Sequence, residues 1–393
     1  MSGKVIPINA GANVRFMLVA VEPSGDALGA ALFRELKKLF PAALFTGCGG
    51  PLMEKEGFRS LFPIDPFSVI GFTDVARAIP AAYKRAEELT QIAITNKITA
   101  AVFVDGWAFS RICAKRMRKQ APETKLFKFG APQVWGSRPQ RVHFVKAHFD
   151  GVLCLLPFEP QWFRKVGVKA EFVGNPNFQA AWAARGDRAA FRERHGLGQA
   201  PVLAVLPGSR RGEIERLRKP LEGAVSLLAE RVEGLRIVAP LAPQVEQRAR
   251  AMMAEWPGAP VIVDQEEKYD AFAAADAAIA KSGTVTTEIA INRTPMVITY
   301  RFDPLTAFWA RRVLTTPFAS VLNYAAGRYV IPELIQEQCT AENLAGAVLP
   351  LLTGGESRIE QLAAVPELLA GMAVDGPPAE RLAAEQIRAW MAG

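Results

Sequence analysis

Short segments rich in β-branched and aromatic residues, apolar at nearly every position, recur along this chain with longer amphipathic stretches between them. A first set occupies residues 15–21, 43–47, 100–104, 125–129, 151–155 and 170–173. A second occupies 202–206, 235–240, 261–263, 277–280 and 296–299. A strand that is apolar on both faces needs cover on both faces, which is the situation of a parallel strand between two helical layers. The stretches between, such as 28–39, 81–96 and 109–119, carry helical spacing and supply that cover. Two sets predict two doubly wound α/β domains, and 393 residues is a length that suits two such cores.

The strand pattern lapses over residues 175–199, a polar stretch rich in arginine, and after about Thr340 the chain reads as helix only. The expected organisation is a first Rossmann-like domain over 1–180, a second over 181–340, and closing helices over 341–393 available to pack back on the first. Open sheets of this kind bind ligands outside the carboxyl ends of their strands. Chemistry is therefore expected in a cleft between the domains, on the loops that follow strands.

Composition narrows the partner. A formal charge of +8 asks for an anionic one: nucleic acid, nucleotide phosphates or an acidic membrane face. The basic residues are dispersed, and a local run such as Lys115-Arg116-Met117-Arg118-Lys119 falls on a predicted helix, where a solvated face is the ordinary role. Cys48, Cys113, Cys154 and Cys339 lie far apart without metal-ligand spacing, and read as buried thiols in a reducing compartment. Three histidines, His143, His148 and His195, are too few for a multi-histidine metal centre. The first apolar run, 16–21, is far shorter than the ~20 residues that cross a bilayer and leads straight into Glu22 and Asp26. Neither a leader peptide nor a membrane span is expected, and a cytoplasmic location is.

Several loops then stand out by position. After the first strand comes Glu22-Pro23-Ser24-Gly25-Asp26, a tight turn into a helix whose free N–H groups point back at it. Glu22 and Asp26 suit sugar hydroxyls better than phosphate, while Ser24 or Asp26 as a helix cap is the plainer alternative. After the first strand of the second set comes Pro207-Gly208-Ser209-Arg210, where a Gly-Ser turn at a helix start with an arginine suits a diphosphate. An Arg210–Glu213 surface pair is the alternative there. Ser282-Gly283-Thr284 opens another helix in the same domain, and Glu288, one turn on, is placed for ribose hydroxyls. Two helix-start anion sites in one domain point to a nucleotide-diphosphate sugar, and no P-loop lysine motif favours NTP hydrolysis. In the first domain Asp105 ends a strand, where it suits the base of an inverting sugar transfer or, structurally, a helix cap. Phe72, Val75, Ile79 and Tyr83 share helical spacing beside Arg77, Lys84 and Arg85, which fits either a core face or a patch against an anionic membrane.

Taken in order, these motifs resemble the bacterial lipid-A-disaccharide synthases over nearly the whole chain. The resemblance rests on EPSGD at 22–26, GCGGPLMEKEGF at 47–58, LLPFEP at 155–160, LPGSRRGEIERL at 206–217, SGTVTTE at 282–288, TPMVITYR at 294–301 and LNYAAGRYVIPELIQE at 322–337. It implies an α/β fold of GT-B type and a hexosyltransferase without a catalytic metal or cofactor. The implied reaction moves 2,3-diacylglucosamine from UDP to 2,3-diacylglucosamine 1-phosphate with inversion. By motif match Asp105 takes the base position with Glu22 beside it, and Gly208, Ser209, Arg210, Ser282, Gly283, Thr284, Glu288, Asn323 and Gln336 fall in donor-binding elements. Ser24, Asp26, Phe67, Val69, Ile70, Phe72, Trp135 and Asn175 fall on the acceptor and membrane side, so the patch reading replaces the core reading around Phe72. The implied partners are a UDP-linked acylated sugar, a lipid acceptor and the cytoplasmic face of the inner membrane. No nucleic acid is implied, and a homodimer is compatible.

The departures from the family pattern cluster in the first domain. A D-x-P-D-F-N run reads Asp105-Gly106-Trp107-Ala108-Phe109-Ser110, an S-P-S-V-W-A-W run reads Ala131-Pro132-Gln133-Val134-Trp135-Gly136-Ser137, and the histidine of a G-H-P turn is Asn175. They leave open a paralogous transferase with a different lipid acceptor, and an inactive lipid- or nucleotide-binding homologue.

Overall fold

Each apolar run forms a strand. The computed structural model describes residues 14–64, 72–258 and 260–392, with side chains throughout except at 72–78 and 305. Two compact units emerge, one running to Pro176 and rejoined by the segment from Gly376, the other spanning Asn177–Asp375.

The first unit contains β1 (Arg15–Ala20), α1 (Pro23–Leu39), β2 (Leu44–Cys48), α2 (Pro51–Lys55), α3 (Phe72–Thr95), β3 (Ala100–Val104) and α4 (Trp107–Gln120). It continues with β4 (Lys125–Phe129), α5 (Arg141–His148), β5 (Gly151–Cys154), α6 (Pro160–Arg164) and β6 (Lys169–Phe172). The strands form one parallel sheet in the order β2-β1-β3-β4-β5-β6. Alternation assigns the two faces. Met17, Val19, Ala101 and Phe103 enter one core with α3 and α4, while Phe16, Leu18, Val102 and Phe127 enter the other with α1.

The second unit contains α7 (Pro176–Ala183), α8 (Arg188–Arg194), β7 (Val202–Leu206), α9 (Arg211–Ala229), β8 (Arg236–Pro240), α10 (Glu246–Met253) and β9 (Val261–Val263). Then follow α11 (Lys268–Ala274), β10 (Ala277–Lys281), α12 (Val285–Ile291), β11 (Met296–Tyr300), α13 (Pro304–Val313), α14 (Val321–Ala326), β12 (Glu333–Ile335), α15 (Ala341–Leu352) and α16 (Glu356–Gly371). Its parallel sheet runs β12-β11-β10-β7-β8-β9. Strand β12 was not visible as an apolar run: it is three residues of edge strand that begin with Glu333 and pair with β11. The arginine-rich stretch 175–199 is folded onto this unit. Arg188 and Arg192 both bind the Asp276 carboxylate, at 2.6 and 2.8 Å, and Asp276 also accepts the Val202 N–H at 2.9 Å.

The closing helices do not act as one block. Helices α15 and α16 stay with the second unit, where Leu344, Val348 and Leu351 of α15 join the core of α9. Only α17 (Ala379–Ala392) packs on the first sheet, burying Ala383, Ala384 and Ile387 beside Leu28 and Leu32 of α1. The Trp390 ring stands 5.7 Å from that of Phe127, and a Cβ on Gly151 would meet it at 2.5 Å. Helix α3, described from Phe72 on, exposes Ile79 and Tyr83 on its surface. No helix among the described residues is long and apolar enough to cross a membrane.

Ile387 is wholly buried, so Ile387→Ala should remove about 3 kcal/mol from the first unit. The expected readout is a lower urea midpoint for that unit, and an unchanged midpoint would show that α17 adds nothing to its stability.

Candidate active site

In the first sheet the strand order reverses between β1 and β3, and α1 and α4 leave on opposite faces. The carboxyl ends of these two strands are thus left uncovered by either helix. Glu22 follows β1 and is the residue before α1, and Asp105 follows β3. Asp105 turns the chain with φ +49°, a left-handed conformation that a non-glycine residue rarely adopts. The turn is held from three sides. Ser24 Oγ donates to Asp105 Oδ2 at 2.7 Å, Lys128 Nζ donates to the Asp105 carbonyl at 2.6 Å, and Ser110 Oγ donates to the same carbonyl at 3.1 Å. The approach is close enough that a Cβ on Gly25 would lie 3.1 Å from the Val104 carbonyl. Burial, and then the charge of Asp105, push the Glu22 carboxyl above its ordinary value, against the pull of Lys128.

Other first-unit candidates have different roles. Asp26 is buried, and its carboxylate accepts the N–H groups of Gly50 at 2.8 Å, Leu52 at 2.8 Å and Met53 at 3.0 Å. It caps α2, so it is committed to the fold and not to sugar hydroxyls. Trp135 is buried edge-on against Phe158, its Nε1 donating to Glu159 at 3.3 Å. Glu159 also accepts the N–H groups of Leu155 and Leu156, each at 3.1 Å. Asn175 is buried just ahead of α7. Ala108 is exposed in the first turn of α4, so the carboxylate absent there takes nothing from the Ser24–Asp105–Lys128 contacts. Phe67, Val69 and Ile70 lie outside the described residues, as does the side chain of Phe72.

The second sheet reverses between β7 and β10. Their following loops line one cavity of ≈ 260 Å³ with Gly208, Ser209, Gly283, Thr284 and Glu288 on its wall. The Arg210–Glu213 surface pair, the alternative to a phosphate contact, does not form among the described residues. Glu213 is buried, and its Oε2 accepts the backbone N–H groups of Ser209 at 3.0 Å and Arg210 at 3.3 Å. Arg210 itself is exposed, and no ion pair among the described residues holds its guanidinium. Ser282 is not part of that wall, and donates its hydroxyl to Ala319 O at 2.6 Å and its N–H to Thr299 O at 3.0 Å.

Two lysines on this wall were not singled out from the sequence. Lys281 pairs with Glu213 Oε1 at 3.1 Å, and Lys268 with Glu288 at 2.7 Å. Burial pulls the Lys268 ammonium down, but the hydrogen bond and charge of Glu288 outweigh it, and the net shift is upward. Lys281 immediately precedes the 282–288 motif, next to the serine that drew attention, whereas Lys268 belongs to no motif at all.

Asn323 and Gln336 do not line this cavity. Asn323 is wholly buried and donates from Nδ2 to Ile331 O and Glu333 Oε1, both at 2.8 Å, while its Oδ1 accepts Val330 N and Ile331 N, both at 2.9 Å. Those four bonds fill its capacity and fix the loop before β12. Gln336 Oε1 accepts Phe302 N at 2.6 Å, and the residue borders a separate hollow with Phe308 and Arg312.

A family model described as lipid-A-disaccharide synthetase matches residues 16–376. The lipid-A-disaccharide synthase of Rhodospirillum centenum is 37% identical over 373 residues, covering 94% of this chain and 93% of its own. That of Paramagnetospirillum magneticum is 39% identical over 375 residues, covering 94% and 96%. Among solved structures, a putative UDP-N-acetylglucosamine 2-epimerase from Listeria monocytogenes aligns with a TM-score of 0.62 at 14% identity, over 96% of this chain and 95% of that one. MurG from Acinetobacter baumannii aligns at 0.57 and 15%, over 96% and 99%. The structural likenesses are of fold alone, and the fold is GT-B, built from two Rossmann-like units.

Burial raises the Glu159 carboxyl from 4.5 to about 7, although the Leu156, Trp135 and Leu155 donors pull it down. A raised value in the folded state means that its contribution to stability is complete below pH 4.5 and is lost as pH rises through about 7. Glu159→Gln cannot titrate and should flatten that part of the profile. Urea melts of both proteins between pH 4.5 and 8 check this, and parallel profiles would remove Glu159 as the source.

Proposed function

This chain belongs to the lipid-A-disaccharide synthetase family, and from that premise we propose how its residues carry the reaction. It is a hexosyltransferase of lipid A biosynthesis that moves 2,3-diacylglucosamine from UDP to 2,3-diacylglucosamine 1-phosphate with inversion. The observation that carries the mechanism is the carboxylate of Asp105, partly exposed at the reversal of the first sheet and oriented by Ser24 through one oxygen only. Its other oxygen takes no hydrogen bond among the described residues and is available to a substrate hydroxyl.

Asp105 is the base. It withdraws the proton of the acceptor hydroxyl as that oxygen attacks the anomeric carbon and UDP leaves from the opposite face. Glu22, whose carboxyl is raised by burial and by Asp105, hydrogen-bonds the sugar. The diphosphate occupies the cavity between the β7 and β10 loops, where Arg210 and Lys281 meet the charge that develops on the leaving group. Glu288, on the same wall, takes the ribose hydroxyls once a nucleotide separates it from Lys268. The scheme calls on no resident cofactor, because the UDP-sugar is a substrate. Both substrates are acylated, and the chain works as a peripheral protein at the cytoplasmic face of the inner membrane. Ile79 and Tyr83, exposed on α3 beside Lys84 and Arg85, support that placement.

Asp105→Asn should lower acceptor-dependent UDP release by two to four orders of magnitude, roughly the worth of a general base, with UDP affinity unchanged. Release at the parent rate would remove Asp105 as the base. Lys281→Ala should weaken UDP binding about tenfold in calorimetry, the loss of one charge-assisted contact. Unchanged affinity would place the diphosphate elsewhere.

A further inference from the structure

One charged group has no part in the scheme above. Lys128 lies in β4, where Leu126 points into the core shared with α3 and α4 while Phe127 and Phe129 point into the core on the other face. By that alternation Lys128 projects among Leu126, Phe103 and Val19, in register beside Phe103 of β3 and Val152 of β5. It is 1% exposed, and no carboxylate among the described residues contacts it. Its Nζ donates to three backbone carbonyls: Asp105 at 2.6 Å, Phe129 at 3.2 Å and Phe103 at 3.3 Å.

Neither packing nor hydrogen-bond satisfaction explains a lysine here. Methionine would fill the volume without removing an ammonium from water. The Phe129 carbonyl already accepts the Asp105 N–H at 2.9 Å, and the Asp105 carbonyl already accepts Ser110. What only the lysine adds is a fixed positive charge under the ends of β1 and β3. The charged groups that act on it are Glu22 and Asp105, while β5 offers Val152 and the buried neutral thiol of Cys154.

We propose that Lys128 is a positioning residue for the sugar transfer. Its ammonium holds the left-handed turn at Asp105 through the carbonyl, and supplies the counter-charge that lets the Glu22 and Asp105 carboxylates stay ionised side by side. The inference rests on Asp105 as the base. Burial pulls the ammonium down to about 8 while Asp105 and Glu22 hold it up, so it is cationic at neutral pH and discharged above about pH 8. A lysine depressed in the folded state weakens the fold at neutral pH, and that penalty is relieved as pH rises from about 8 towards 10.5. Such a residue reduces stability where it is charged, which a purely structural residue does not do.

The test is the kcat–pH profile of UDP release for the parent protein, Lys128→Met and Lys128→Gln, with thermal midpoints at pH 7 and Asp105→Asn as control. Both lysine variants should lose at least about tenfold in kcat with donor KM unchanged, as expected for a misplaced base. Their acid limb should move up by about one pH unit, because two carboxylates then face each other without a counter-charge. Midpoints should be unchanged or higher. An unmoved acid limb, or a loss of kcat that follows a lowered midpoint, overturns the inference. Should neither variant fold, the parent protein decides: kcat should fall above about pH 8, and a flat profile to pH 10 overturns it. Turnover retained by Asp105→Asn overturns the base assignment itself, whereas an inactive Asp105→Asn beside fully active lysine variants overturns only the role of Lys128.

Discussion

A parallel sheet whose strand order reverses leaves the carboxyl ends of two neighbouring strands without a helix between them, since the following helices depart to opposite faces. In this protein that happens at β1 and β3, and again at β7 and β10. Everything assigned to chemistry sits at those two gaps. Glu22, Ser24 and Asp105 gather at the first, and Gly208, Ser209, Lys281, Gly283 and Thr284 at the second. The reversal follows from connectivity, and connectivity follows from strands apolar on both faces that need helices above and below. The sites are thus a consequence of how the cores are covered.

Within the gaps, hydrogen-bond occupancy separates carboxylates that build from carboxylates that act. Asp26 follows β1 one helical turn after Glu22, yet the N–H groups of Gly50, Leu52 and Met53 at the start of α2 engage both its oxygens. Glu213 stands at the start of α9, beside the β7 loop, yet it is buried and holds the Ser209 and Arg210 amides. Asp105 has one partner on one oxygen. A carboxylate whose lone pairs are filled by the fold has nothing to offer a ligand, and one left half-satisfied at a partly exposed position does.

The same distinction explains what the sequence made legible. Strand runs, the two domains and the loops at strand ends could be read because periodicity and position are written locally, residue by residue. Asp26 stood in such a loop, and Asn323 and Gln336 in a family motif, but nothing in one dimension says whether a polar side chain faces a ligand or its own backbone. Asn323 fills all four of its bonds inside the fold. Other polar groups left no local signal at all. Lys128 lies inside an apolar strand run and Lys268 in no motif, so the sequence singled out neither. Only the fold places the first under Asp105 and the second against Glu288.

Charge in the second unit is arranged as an internal salt that a nucleotide can open. Lys281 with Glu213 and Lys268 with Glu288 put two cations and two carboxylates on one cavity wall, nearly neutral as a set. An isolated cationic cavity would bind any phosphate and would keep the product. On the proposed placement a diphosphate has to displace carboxylate contacts to gain lysine contacts, so the net gain is the difference between two charge-assisted bonds. Glu213 cannot leave, because its other oxygen holds the β7 loop; Glu288 holds no backbone N–H in that loop and can turn to the ribose. The exchange therefore favours a ligand that offers phosphate and sugar hydroxyls together over phosphate alone, which is the discrimination a UDP-sugar site needs.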